Sequence, residues 1–181
     1  MVAGLAGALA DALSMGASGY LAAKSMDKPF DALMEEKLFP MLGLAQTYVR
    51  VPREKMGDYA YGYPNESKPI RVNPGVLDSE AYGVKTTTAD MIKYVEANMG
   101  DAGLDPMLQR AIAATHTGYY RVGDITQGLG WEMYDYPTDL ETLLAGNSPQ
   151  LSVKANEVIR LDPPAQPTAD VLINKTGSTG G

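Results

Sequence analysis

A chain of 181 residues is long enough for one ordinary domain with a sizeable core, since about 70% of the unfolded surface can be buried at this length. Its formal net charge of −7 argues against a phosphate-backbone partner, which needs clustered lysine and arginine, and no basic cluster is present. With no cysteine, disulfides, zinc–thiolate sites and a cysteine nucleophile are excluded, while 19 glycines and 12 prolines point to structured loops between short elements.

Residues 1–24 are rich in Ala, Gly and Leu, with Asp11 and Lys24 as the charged positions. A signal peptide would carry a basic start, and a membrane span would be more strongly apolar. The pattern suits an Ala-rich helix packing through Leu5, Leu9 and Leu13. From Pro29 the signals sharpen: proline at a helix start is followed by Phe30, Leu33, Met34 and Leu38 on one face, and Pro40 is expected to stop the helix. Residues 51–84 show little periodicity, and their tyrosines, including Tyr59, Tyr61, Tyr63 and Tyr82, argue for an ordered Ω-like loop.

Two capped helices follow. Thr87 to Asp90 forms a capping-box pattern, Met91, Ile92, Val95 and Met99 an apolar stripe, and Gly100 a terminator, so the first helix is predicted from Thr88 to Asn98. Asp105 and Pro106 supply N-cap and first turn of the second, predicted from Pro106 to Thr115 with Leu108 and Ile112 on its packing side. Short β-like runs come next, at Tyr119–Val122, Leu129–Tyr134, Val158–Leu161 and Val171–Asn174, interrupted by a short helix near Asp139–Leu144. Helices first and strands later make the fold class α+β.

The last run leads into Lys175-Thr176-Gly177. A strand ending this way offers an ammonium, a neighbouring hydroxyl and a position without a side chain, where a ligand can approach a sheet edge. Lys-Thr-Gly is also one of the signatures of penicillin-recognising serine enzymes. The triplet alone fits a solvated lysine at a strand-to-loop junction better.

Four blocks together are more specific. Tyr59-Ala-Tyr-Gly-Tyr63, Val76 to Lys85, Gln127-Gly-Leu-Gly-Trp-Glu-Met133 and Asn174 to Gly181 follow one another as they do in class C (AmpC-type) serine β-lactamases, which the chain resembles from about Gly19 to Gly181. Residues 1–18 form an atypical N-terminal segment beside this partial β-lactamase domain, 19–181. The resemblance implies a β-lactamase/transpeptidase-like fold, with a helical lobe and part of an antiparallel sheet lobe. It implies β-lactam hydrolysis through a serine acyl-enzyme, with no cofactor and no metal, by a monomeric periplasmic full-length protein that binds neither nucleic acid nor membrane. Lys175 would act electrostatically on the catalytic tyrosine and on the substrate carboxylate, and Thr176 would bond near that carboxylate. Gly177 would keep the edge open, Ser178 would give a backbone N–H to the oxyanion hole, and Tyr82 would line the side-chain pocket. Asp78 and Glu80 would be structural acids of the Ω-like loop.

The family's nucleophile motif, S-x-x-K, and its Tyr-x-Asn tyrosine are both expected upstream of Gly19, and further strands after Lys-Thr-Gly, so the sequence reads as a central piece of a longer enzyme, inactive alone. Ser25-Met-Asp-Lys28 imitates the first motif, but Pro29 disfavours helical geometry at Lys28. Tyr63-Pro-Asn65 imitates the second inside the Ω-like loop. The sole histidine, His116, lies near a helix C-terminus, where a positive charge would suit the dipole; no G-x-S-x-G elbow accompanies it. Three other functions stay open: an esterase or D-Ala-D-Ala peptidase of the same fold, and a non-catalytic piece acting at most as an interaction module.

Overall fold

The computed structural model describes residues 19–21, 23–63, 68–71, 75–100, 103–148, 151 and 154–176. The Ala-rich segment 1–18, Gly177, Ser178 and Asn65 lie outside the described residues. Two compact units divide the described chain, one within residues 19–104 and one within 105–176.

The first unit is helical and loop-rich. Helix α1 (Phe30–Leu33) runs through a π-helical segment, Met34–Leu38, into α2 (Phe39–Met41). Pro40, expected as a stop, lies inside α2 instead. Proline has no N–H to give the carbonyl four residues back, and the wider pairing of the π segment, with the Phe39 amide on the Met34 carbonyl, accommodates it. The turn ends at Gly43, whose φ of 67° is glycine's province. Phe39, Leu42, Leu44 and Val49 are buried here.

The Ω-like loop is ordered where it is described. Backbone bonds of 2.8 and 2.7 Å join Tyr48 to Lys85 and close its ends, and a second bridge pairs Gly62 with Ile70. Arg71 lies over the rings of Tyr59 and Tyr61, 4.5 and 4.1 Å from their centroids, and donates to the Tyr59 carbonyl at 2.8 Å. The loop also holds a helix that periodicity did not announce, α3 (Asp78–Tyr82).

Helix α4 (Thr88–Met99) matches expectation in extent: the Thr87 hydroxyl accepts from the Asp90 amide, and Gly100 adopts φ 88° at the C-terminus. Its packing differs. The buried positions are Asp90 and Ala97, with Tyr94 and Asn98 half-buried on the same side, whereas Met91, Ile92, Val95 and Met99 are exposed. The reason is Asp90, whose carboxylate accepts from the Gln46 amide at 2.6 Å, the Thr47 hydroxyl at 2.9 Å and Lys93 Nζ at 3.0 Å. Fixed donors select the face that packs, because a buried carboxylate without them is far costlier than exposed methyl groups.

The second unit opens with α5 (Pro106–Thr115), whose N-cap Asp105 accepts from the Met107 amide at 2.8 Å and whose Leu108 is buried. Among the described residues five strands then form one sheet, β1 (Gly118–Val122), β2 (Ile125–Gln127), β3 (Glu132–Asp135), β4 (Ile159–Ala165) and β5 (Val171–Asn174), in the order β4-β1-β2-β3-β5. Every pairing is antiparallel. Helix α6 (Leu140–Gly146) joins β3 to β4, capped by Asp139. Pro163 and Pro164 sit in β4, an outer strand, where a missing N–H is tolerated. Gly146 is required by close approach, because a Cβ there would stand 1.9 Å from Tyr134 Oη. Met133 and Tyr134 are the buried side chains of β3.

Burial pushes the Asp90 carboxyl up, but the Gln46 amide, Lys93 and Thr47 hold it on balance below the usual carboxylate range. Asp90→Ala is expected to lower unfolding free energy by about 3 kcal/mol at neutral pH, since it strands the Gln46 and Thr47 donors. The folded pKa being depressed, the difference between wild type and variant should hold above about pH 4 and shrink as pH falls further. Urea titrations of both proteins across pH 3–7 check this.

Candidate functional site

The end of β5 is positioned by a chain of contacts that begins at α5. Trp131 Nε1 donates to the Thr115 hydroxyl at 3.1 Å, and the Leu129 amide to the Thr115 carbonyl at 2.9 Å. The turn between β2 and β3 is therefore tied to the end of α5. Gln127 Nε2 and the Gly128 amide both donate to the Trp131 carbonyl, at 2.8 and 2.9 Å, which closes the turn on itself. Glu132 follows directly, with its strand partners fixed on both sides: Gln127 in β2 and Asn174 in β5.

That register brings three side chains together. Lys175 Nζ donates to Glu132 Oε1 at 3.1 Å and also to the Thr176 carbonyl. Thr176 Oγ1 lies 2.8 and 3.0 Å from the two Glu132 carboxylate oxygens. The Glu132 side chain keeps 16% of its accessible area and that of Lys175 33%, so this is a half-covered corner at the sheet's outer strand and not an isolated surface pair. Chemically it offers an ammonium and a hydroxyl side by side, able to hold one carboxylate. Glu132 was not singled out in the sequence reading. Its signal lay in the Gln127–Met133 block, but only cross-strand register shows that it faces Lys175 and Thr176.

The other expected site residues are distributed differently. Ser178 and Gly177 lie outside the described residues. Tyr82 belongs to the first unit, half-buried at the end of α3, with its hydroxyl against Gly75, where a Cβ would stand 2.9 Å away. Asp78 acts electrostatically on Lys85: burial lowers the Lys85 pKa and the Asp78 charge opposes the shift. A cleft of about 400 Å3 in the first unit is lined by Tyr20, Lys24, Asp31, Arg50 and Glu80, among other residues. Arg50 pairs with Asp31 there and Lys24 lies over the Tyr20 ring, and neither Lys175 nor Tyr82 lines the cleft.

Among the described residues no cluster of three metal-ligating side chains occurs, and no helix is long and apolar enough to cross a membrane. Ser25 and Lys28 are not presented on one helical face, because Asp27 between them has φ 52°, and the Lys28 ammonium is paired with Glu36 at 2.8 Å.

His116 is buried, with its ring edge-on to Trp131 at 5.9 Å between centroids, and burial lowers its pKa. The direction is opposite to the one that a helix C-terminus alone would favour, and its cause is burial. Because the unfolded chain takes up this proton more readily, stability is expected to rise with pH up to about pH 6.5 and level off above it. His116→Gln should give a flatter profile than wild type between pH 5.5 and 7.5; identical slopes in urea midpoints would show that the imidazole is not the group responsible.

The β-lactamase family model matches residues 11–181. A β-lactamase of Pseudomonas fluorescens is 54% identical over 168 residues, which cover 93% of this chain and 47% of that protein. The crystal structure of a D-alanine carboxypeptidase AmpC from Burkholderia cenocepacia is 49% identical with a TM-score of 0.91, covering 94% of this chain and 49% of that one. A class C β-lactamase solved in complex with cefoxitin is 42% identical with a TM-score of 0.88, over 94% of this chain and 47% of that one. The chain thus spans about half the length of the relatives it matches. With the family model running from residue 11 to the last glycine and class C structures superposing on the fold, the chain belongs to the β-lactamase family, in its class C (AmpC-type) branch.

Proposed function

We propose that this chain is part of a periplasmic enzyme, monomeric at full length, that hydrolyses β-lactam antibiotics through a serine acyl-enzyme and so confers resistance to them. The observation that carries the reading is the Lys175–Thr176 corner, an ammonium and a hydroxyl side by side at an outer strand and already holding a carboxylate. β-Lactams carry a carboxylate close to the reactive carbonyl, and cefoxitin, bound in one similar structure, is of this kind. In the proposed reaction a serine hydroxyl attacks the lactam carbonyl, the ring C–N bond breaks, and the nitrogen takes a proton. Water then hydrolyses the resulting ester and frees the serine.

In this scheme Lys175 and Thr176 orient the substrate carboxylate, and Lys175 also acts on the tyrosine that handles the serine's proton. Gly177 leaves the edge open. The Ser178 amide stabilises the oxyanion, a contribution of about 3 kcal/mol for one such donor. Tyr82 lines the pocket for the substrate side chain. A second reading is favoured by the name of the Burkholderia relative: a D-alanine carboxypeptidase performs the same acyl transfer on a peptide that also ends in a carboxylate. An esterase of the same fold, or a non-catalytic interaction module, has no specific observation in its favour.

Orientation and oxyanion stabilisation are not acylation. Acylation also needs the nucleophile and the group that removes its proton, and residues acting as one unit leave no proportionate remainder when part of the unit is missing. The chain's one S-x-x-K pattern is broken by Asp27. Purified 181-residue chain is therefore expected to turn over a chromogenic cephalosporin no faster than its Lys175→Ala and Ser25→Ala variants. Turnover that disappears in Ser25→Ala would make Ser25 the nucleophile and contradict this assignment.

A further inference from the structure

The Glu132 carboxylate stands on the donors that a ligand carboxylate would use. Its Oε1 accepts from Lys175 Nζ at 3.1 Å and from Thr176 Oγ1 at 2.8 Å, and its Oε2 lies 3.0 Å from the same hydroxyl. A threonine hydroxyl has one proton to give, and this one is directed at Glu132. The lysine charge is likewise matched by a carboxylate before any ligand arrives. As it stands, the corner is neutral and filled.

Two ionised carboxylates cannot both take the one hydroxyl proton of Thr176, and like charges at such separations disfavour one another. A ligand carboxylate entering here has to move Glu132 away. The backbone of Glu132 is paired on both sides, with Gln127 and with Asn174, so the movement open to it is a rotation of the side chain about its staggered bonds. Lys175 and Thr176 would pass from one carboxylate to another without any strand shifting.

From this geometry we infer that Glu132 is an internal, autoinhibitory occupant of the Lys175–Thr176 corner, which a ligand carboxylate must displace. Glu132 then sets how strongly the site discriminates in favour of anionic ligands. The inference rests on the reading of this corner as the carboxylate-receiving one, and the experiment separates the two.

The test is a titration of the 181-residue chain and its Glu132→Gln and Glu132→Ala variants with cefoxitin and with cefoxitin methyl ester, following the NMR signals of Lys175 and Thr176. Far-UV circular dichroism confirms that the sheet is retained, and the alanine variant guards against a folding defect peculiar to glutamine. Both variants are expected to bind cefoxitin about three- to tenfold more tightly than wild type, as loss of a competing, partly exposed ion pair implies. The gain should shrink with added salt and be absent for the ester. Binding that is unchanged or weaker in both variants, or an equal gain for the ester, overturns the inference while leaving the carboxylate-receiving reading in place. No cefoxitin-dependent shift at Lys175 in any of the three proteins overturns both.

Discussion

Antiparallel pairing of β3 with β5 is the constraint on which the candidate site depends. The register sets Glu132 opposite Asn174 and Asp135 opposite Val171, and a slip of one residue would send every side chain of β5 to the other face of the sheet. Lys175 and Thr176 meet Glu132 because β5 enters the sheet in this register. The register in turn leans on the turn before β3, which Trp131 ties to Thr115 at the end of α5. A helix end, an indole N–H and a strand pairing thus cooperate to fix one ammonium and one hydroxyl.

The first unit shows how a polar group can override an apolar pattern. Asp90 collects three donors, from Gln46, Thr47 and Lys93, and turns its face of α4 inward. The opposite side, with Met91, Ile92, Val95 and Met99, stays exposed. The hydrophobic term for one partly exposed methionine or valine is of the order of 1 kcal/mol, whereas an uncompensated buried carboxylate costs several times more. In the second unit His116 gives the same lesson with the opposite sign: it is buried beside Trp131, and neutrality is the form that burial favours.

What could be read from the sequence follows how local the determining interactions are. Helices α4 and α5 were legible because cap and stop lie within their own few residues: Thr87 and Gly100 for one, Asp105 with Pro106 for the other. β5 was legible from its run of apolar residues ending in Lys-Thr-Gly. Strand β2 was missed because three residues carry no period, and β3 starts at Glu132 where the apolar run had suggested Leu129, since Leu129 is held in the turn by Thr115. Pro40 misled because a π segment upstream absorbs its missing donor. The family blocks singled out Lys175 and Thr176 as candidates, but their partner Glu132 is 43 and 44 residues away in sequence, and only pairing brings it near.

Since the candidate site is built by β5 joining the sheet, hydrogen exchange of the amides between Val171 and Thr176 in the 181-residue chain tests the account most directly. Protection in β5 comparable to that in β3, alternating along the strand as expected for an outer member paired on one side, is the result the account predicts. Exchange throughout Val171–Asn174 at the rate of an unstructured peptide, with β1 to β3 still protected, would contradict it, because Lys175 and Thr176 would then have nothing to hold them against Glu132.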